Sequence, residues 1–155
     1  MYNPNIEYQS SAVIKTFQEK KLQEMLAYIA AKSPFYQNLF YQHHINPAKI
    51  KYLEDLQHIP VTTKENLQQH NEDFYCVDKS KFVDYITTSG TLADPTTFAL
   101  TEHDLERLAY NEAISFTCAG GYAGEIYQLM TTMDKRFMAG LAYFLGIRKM
   151  GASVV

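Results

Sequence analysis

The chain has no tryptophan, only two cysteines, no cluster of basic residues and no apolar run long enough to cross a bilayer. Each absence narrows what it can be. Cys76 and Cys118 stand far apart without metal-ligand spacing, which fits a reducing cytoplasm, and no basic start followed by an apolar stretch suggests a secretion signal. The longest apolar run, Phe137 to Ile147, is bracketed by Arg136 and Arg148. It is about half the length a membrane span needs, so it predicts a buried core helix. The formal charge is -3 and Lys and Arg are scattered, so nothing draws the chain to phosphate backbones or anionic lipid; neither nucleic acid nor membrane is an expected partner.

What is present reads as a globular domain. At 155 residues, 46% of them hydrophobic, the chain is long enough to bury a sizeable core. Aromatics are plentiful, with twelve tyrosines and nine phenylalanines, and point to a well-filled core or an aromatic-lined pocket.

The first half reads as helical. Val13, Phe17, Lys21, Met25 and Ile29, with Leu22 and Leu26 alongside, trace a face at helical spacing that stops at Ser33-Pro34. Ser33 then predicts the cap of a second short helix with Pro34 in its first turn. Thr62 and Glu65 have capping-box spacing and predict a further helix start, where Lys64 and Glu65 read as exposed.

After Phe82 the period changes. "FVDYITT" alternates like a strand and "TFALT" reads as a second, closed by Thr101, which with Asp104 predicts a helix cap. Leu105, Leu108, Ala109, Glu112, Ala113 and Phe116 share one face of that helix, and Gly120-Gly121 ends it. A strand "EIYQLMTT", an apolar helix from about Lys135 to Met150 and a final strand "ASVV" then make a βαβ unit. The expected fold class is α/β: a helical N-terminal segment over 1–80, then a partly parallel sheet over 81–155. "ASVV" reads as a buried parallel strand with nothing after it to cover it, so the chain reads as a single incomplete domain.

Between the first two strands lies "TTSGTLADPTT", Thr87 to Thr97. Serine, glycine, aspartate and proline are ordinary hairpin residues, and a hairpin connection is one reading. The other is a phosphate cradle, in which backbone N–H groups and adjacent hydroxyls converge on one anion. A hairpin alone needs no such excess of hydroxyls.

"SGTLADPT" resembles the phosphate loop of the adenylate-forming superfamily, usually S-G-T-T-G-x-P-[KT]. "SPFYQNLF" (33–40) and "HIPVTTKENL" (58–67) are similar to the S-P-F-Y and L-P-x-T-T-K-x-x-L segments of its phenylacetate-coenzyme A ligase group, in the same order. The resemblance covers nearly the whole chain. It implies an N-terminal portion of an ATP-dependent ligase that joins a small aryl or acyl carboxylic acid to coenzyme A through an acyl adenylate, with ATP, Mg²⁺ and coenzyme A as cofactors. Thr88, Ser89, Gly90, Thr91 and Pro95 are implied as the ATP-phosphate loop, supplying grip rather than proton transfer. No catalytic residue and no metal ligand is implied within the chain, because the nucleotide contacts, the Mg²⁺ carboxylate and the mobile lid domain lie further along the family's sequence. The fragment alone is expected to be inactive.

Three loop positions depart from the pattern: Leu92 replaces a hydroxyl residue, Ala93 a glycine and Asp94 a common lysine. Ala93 resists positive φ. At an effective dielectric of about 20, a carboxylate about 4 Å from a phosphate charge costs on the order of 4 kcal/mol, so Asp94 must point away or meet a metal ion. Phe137 and Met138 occupy the place of the family's aromatic substrate segment and are candidates for lining the acyl site, although an apolar helix stripe serves equally as plain core. Asp134 is expected as that helix's N-cap, and Arg136 is a candidate for a substrate carboxylate. The five histidines show no metal-ligand pairing, and Cys118, outside any activating motif, is expected to be a buried inert thiol. The altered loop also leaves open a noncatalytic nucleotide-binding module, or one that self-associates into a homo-oligomer through an exposed sheet edge.

Overall fold

The computed structural model describes residues 5–88, 95–132 and 137–155, which divide into two compact units, Met1–Asp78 and Lys79–Val155. Unit one is helical. Helix α1 (Ser11–Lys32) starts at Ser10, whose side chain accepts from Val13 N–H, and α2 (Pro34–Gln42) follows at once. Ser33, fully buried, joins the two: its N–H donates to the Ile29 carbonyl at 2.9 Å, and its hydroxyl accepts from Tyr36 N–H and donates to the Asp73 carbonyl at 2.8 Å. One serine thus ends one helix, caps the next and ties both to the distal 3-10 turn Asn71–Phe74, where Phe35 stacks on Phe74 at 4.0 Å.

The core of this unit is Leu22, Leu26, Phe40 and Ile50, ringed by residues including Ile29, Leu39 and Ile59. The buried stripe of α1 is therefore Leu22–Leu26–Ile29, and Val13 and Met25 of the expected face are nearly half exposed. The reason is geometric. Steps of four residues advance 400°, so a line through 13, 17, 21, 25 and 29 drifts round the helix and leaves its neighbour, whereas i, i+4, i+7 stays beneath it. The expected Thr62/Glu65 cap is also displaced by one residue. Helix α3 (Lys64–Gln69) is capped by Thr63, whose N–H donates to Asn66 Oδ1 at 2.9 Å, because the Thr62 hydroxyl lies 3.2 Å from the Tyr36 hydroxyl and is engaged there.

Unit two carries two small sheets. Strands β1 (Phe82–Thr87) and β2 (Thr97–Thr101) pair antiparallel, with Thr87 opposite Thr97. Helix α4 (Glu102–Cys118) begins at the predicted box: Thr101 N–H donates to Asp104 Oδ2 at 2.9 Å, and Asp104 N–H donates to Thr101 Oγ1 at 3.3 Å. Gly120, at φ 96, turns the chain out of α4, and Gly121 N–H donates to the Phe116 carbonyl. Strand β3 (Ile126–Tyr127), helix α5 (Met138–Met150) and strand β4 (Ser153–Val154) form the expected parallel βαβ unit.

Two expectations change here, the length of one strand and the burial of Cys118. The strand "EIYQLMTT" shortens to β3, although Leu129 N–H still donates to the Val155 carbonyl at 2.8 Å. Asp134 lies outside the described residues; the described α5 has Phe137 at its N-cap position, without a side-chain cap. Helices α4 and α5 cross closely at Gly146, where an added Cβ would overlap the Cβ of Glu112. Cys118 is exposed rather than buried, since it falls off the face of α4 that meets α5.

Candidate functional site

The β1–β2 hairpin sets up the site. One residue beyond the paired strands, Thr88 N–H donates to the Thr96 carbonyl at 3.0 Å, and Thr96 N–H returns to Thr88 Oγ1 at 3.1 Å. Two adjacent hydrogen bonds thus close the stem of the threonine-rich stretch, one of them made by a side chain. The Thr88 hydroxyl keeps its own proton for another acceptor.

Thr96 stands out within this stem. It is 3% exposed, and its Oγ1 is buried without a hydrogen-bond partner among the described residues. A buried hydroxyl left unpaired costs roughly 1–3 kcal/mol, so this one marks a place where a partner is wanted. The expected list of loop residues omits it, yet the signal was present: Thr96 follows Pro95 and holds the final [KT] position of the motif. Pro95 is exposed, while Ser89, Gly90 and Thr91, and the departures Leu92, Ala93 and Asp94, lie outside the described residues.

Beneath the stem is a cavity of about 410 Å³ whose lining includes Ile86, Thr88, Phe98, Leu100, Asp104 and Met138. Met138 opens α5, fifty positions from Thr88, so the fold brings a predicted loop residue and a predicted pocket residue to one hollow. Its lining is mostly apolar and includes the hydroxyl residues Thr87 and Thr88. Phe137 is 42% exposed and does not line it, and Arg136 is outside the described residues. Among the described residues the lining holds no histidine, lysine or cysteine, and its side chains suit the binding and orientation of a small apolar body. Its one carboxylate, Asp104, has Oδ2 occupied by the Thr101 N–H and hydroxyl, the latter at 2.8 Å. Among the described residues no group of three or more His, Cys, Asp or Glu could hold a metal ion, so these side chains do not fit a Mg²⁺ cage.

Unit one has a more polar cleft whose lining includes Phe35, Asn38, His43, His70 and Asp73, with His70 Nδ1 at 3.2 Å from Asp73 Oδ2. Two of the recognised segments line it, "SPFYQNLF" through Pro34, Phe35, Asn38 and Leu39, and "HIPVTTKENL" through Pro60, Val61 and Asn66. No helix among the described residues is long and apolar enough to cross a membrane.

No family model matches the chain. Curated relatives and solved structures do. The phenylacetate-coenzyme A ligase of Thermus thermophilus is 30% identical over 156 residues, spanning 100% of this chain and 35% of the relative. That of Escherichia coli is 27% identical over 151 residues, spanning 97% and 34%. In structure, 2-hydroxyisobutyryl-CoA ligase in an open conformation with 2-HIB-AMP and CoA superposes with a TM-score of 0.88 at 23% identity, covering 97% of this chain and 36% of that one. The same enzyme in its thioesterification state gives 0.89, also at 23% identity, covering 98% and 33%. The chain thus spans about a third of the length of the proteins it matches. Its α/β fold is that of the matching part of these ligase structures, and its sequence resembles the N-terminal portion of a phenylacetate-coenzyme A ligase-like member of the adenylate-forming superfamily.

Proposed function

We propose that this chain is the N-terminal portion of an ATP-dependent aryl or acyl carboxylate-coenzyme A ligase, contributing a phosphate-gripping stem and part of an acyl pocket. The observation that carries the reading is the convergence of Thr88, at the mouth of the motif, and Met138, at the start of α5, on one apolar cavity. The buried, unpartnered Thr96 hydroxyl supports it, because a phosphate oxygen would satisfy that group. The chain's part is binding and orientation. Thr88 and Thr96, with Ser89, Gly90, Thr91 and Pro95, would face the ATP phosphates, while Ile86, Phe98 and Met138 hold the apolar body of the acid. ATP supplies the activated phosphorus that the carboxylate attacks and coenzyme A the accepting thiol. The described side chains offer no group of three His, Cys, Asp or Glu, and Mg²⁺ would enter the site bound to the ATP phosphates. Because the relatives are about three times as long, the complete reaction is assigned to residues beyond this portion, and the chain alone is proposed to be inactive.

The test is carboxylate-dependent ATP–pyrophosphate exchange by the native gene product across a panel of aryl and acyl acids; no exchange with any of them overturns the reading. On this chain, ATP is expected to shift the amide resonances of Thr88 and Thr96, and Thr96→Val to weaken that response.

A second reading, a self-associating module, draws on the β3–β4 sheet, where Ile126 is 73% exposed. Parallel sheets are ordinarily covered on both faces. Sedimentation that shows only monomer at high micromolar concentration excludes it.

A further inference from the structure

A second cavity, of about 450 Å³, lies between α4, α5 and the segment after β3, and shares no lining residue with the Thr88–Met138 hollow. Its walls are aromatic and apolar: Phe116 from α4, Tyr127 from β3, Tyr143 and Ile147 from α5. The Phe116 ring stands in T-shaped contact with both tyrosines, at 5.4 Å from Tyr127 and 5.9 Å from Tyr143. Tyr127 is held in place by its hydroxyl, which donates to Glu125 Oε2 at 2.6 Å.

The described lining also includes the polar Ser115, Gln128 and Thr131, and one carboxylate, Glu112. It stands one turn before Phe116, is half-buried, and takes part in no hydrogen bond or ion pair among the described residues. Its Cβ lies against Gly146 of α5, close enough that a Cβ added at Gly146 would overlap it. Among the described residues the cavity lining carries no lysine, arginine or histidine to neutralise it. A carboxylate partly withdrawn from water beside aromatic rings wants a counter-charge, and ring faces favour the same sign. The volume suits a body of one ring or a short aliphatic chain.

We propose that this cavity binds an organic cation, a protonated amine on an apolar body, with the ammonium at Glu112 and the body against Phe116, Tyr143 and Ile147. The proposal is independent of the ligase reading, since it concerns different side chains and a ligand of opposite charge.

The test is an NMR titration of the full chain with phenethylamine, protonated at neutral pH, and with 2-phenylethanol, which has the same body without the charge. The expected result is saturable amine binding that shifts Glu112, Phe116 and Tyr143, at least about tenfold tighter than the alcohol, and weakened by added salt. Glu112→Gln, which preserves size and is checked for folding by far-UV circular dichroism, should bring the amine down to the alcohol's affinity. The wild-type comparison stands even if that variant does not fold. Equal affinity for amine and alcohol, a charge preference that survives Glu112→Gln, or no saturable amine binding at millimolar concentration overturns the proposal.

Discussion

Gly146→Ala has an outcome whose sign separates two physical effects. Alanine in place of glycine inside a helix stabilises by about 1 kcal/mol on propensity alone, so a loosely packed α5 would gain. In this structure the new Cβ would overlap Glu112 Cβ and lie 3.0 Å from the Glu112 carbonyl carbon and 3.1 Å from Ala113 N. Comfortable carbon contacts need about 3.5–4.0 Å, so the facing backbones must part by roughly 0.5–1 Å. Neither is a flexible side-chain end that can swing away. Overpacking of this kind costs roughly 1–3 kcal/mol, more where rigid helices must separate, and should outweigh the propensity gain. The expected net effect is a loss on the order of 1–2 kcal/mol, read as a lower urea midpoint with unchanged slope and faster amide exchange in α5. Gly120→Ala is the control: its Cβ meets nothing within 4 Å, and the cost there comes only from φ 96, leaving the α4–α5 crossing intact. A neutral or stabilising Gly146→Ala would refute the close crossing, and with it the contact made with Glu112.

Two further predictions concern individual side chains. The Glu125 carboxyl is held below its ordinary value of 4.5, first by the Tyr127 hydroxyl and then by Tyr122 N–H, and the same bond raises the Tyr127 phenol above its ordinary 10.0. Glu125 therefore adds stability that is present above its unfolded value and lost as pH falls through its lowered folded one; Tyr127 adds stability present below its unfolded value and lost as pH rises through its raised one. An NMR titration should show Tyr127 ionising at lower pH in Glu125→Gln than in the wild type, and an unmoved midpoint contradicts this. Cys118 is exposed, whereas Cys76 is partly buried and its thiol pushed up by desolvation. Maleimide should label Cys118 first, and equal rates at the two positions would contradict the assignment.

Much of the local structure was legible because its causes are local. Ser33-Pro34, Thr101 with Asp104, and Gly120 act on backbone groups within a few residues, and the structure realises each as a helix start or stop. The Thr62/Glu65 cap failed because a distant partner, the Tyr36 hydroxyl, engaged Thr62. Cys118 failed because a residue near a helix end is buried only if the neighbouring helix reaches it. Thr96 was overlooked because nothing near it in sequence shows that its side chain turns inward.

The order of residues by itself determined where helices begin and end, the change from helical to α/β character after Phe82, and the threonine-rich motif that points to phosphate. These depend on hydrogen bonds and steric limits that span about one turn. Only the tertiary structure decided that Thr88 and Met138 share a hollow, that the Thr96 hydroxyl is buried without a partner among the described residues, and that Glu112 lies against Gly146 at an aromatic cavity. Those facts arise where elements far apart in the chain pack together, and close packing assigns each side chain its neighbours only when the whole core is assembled.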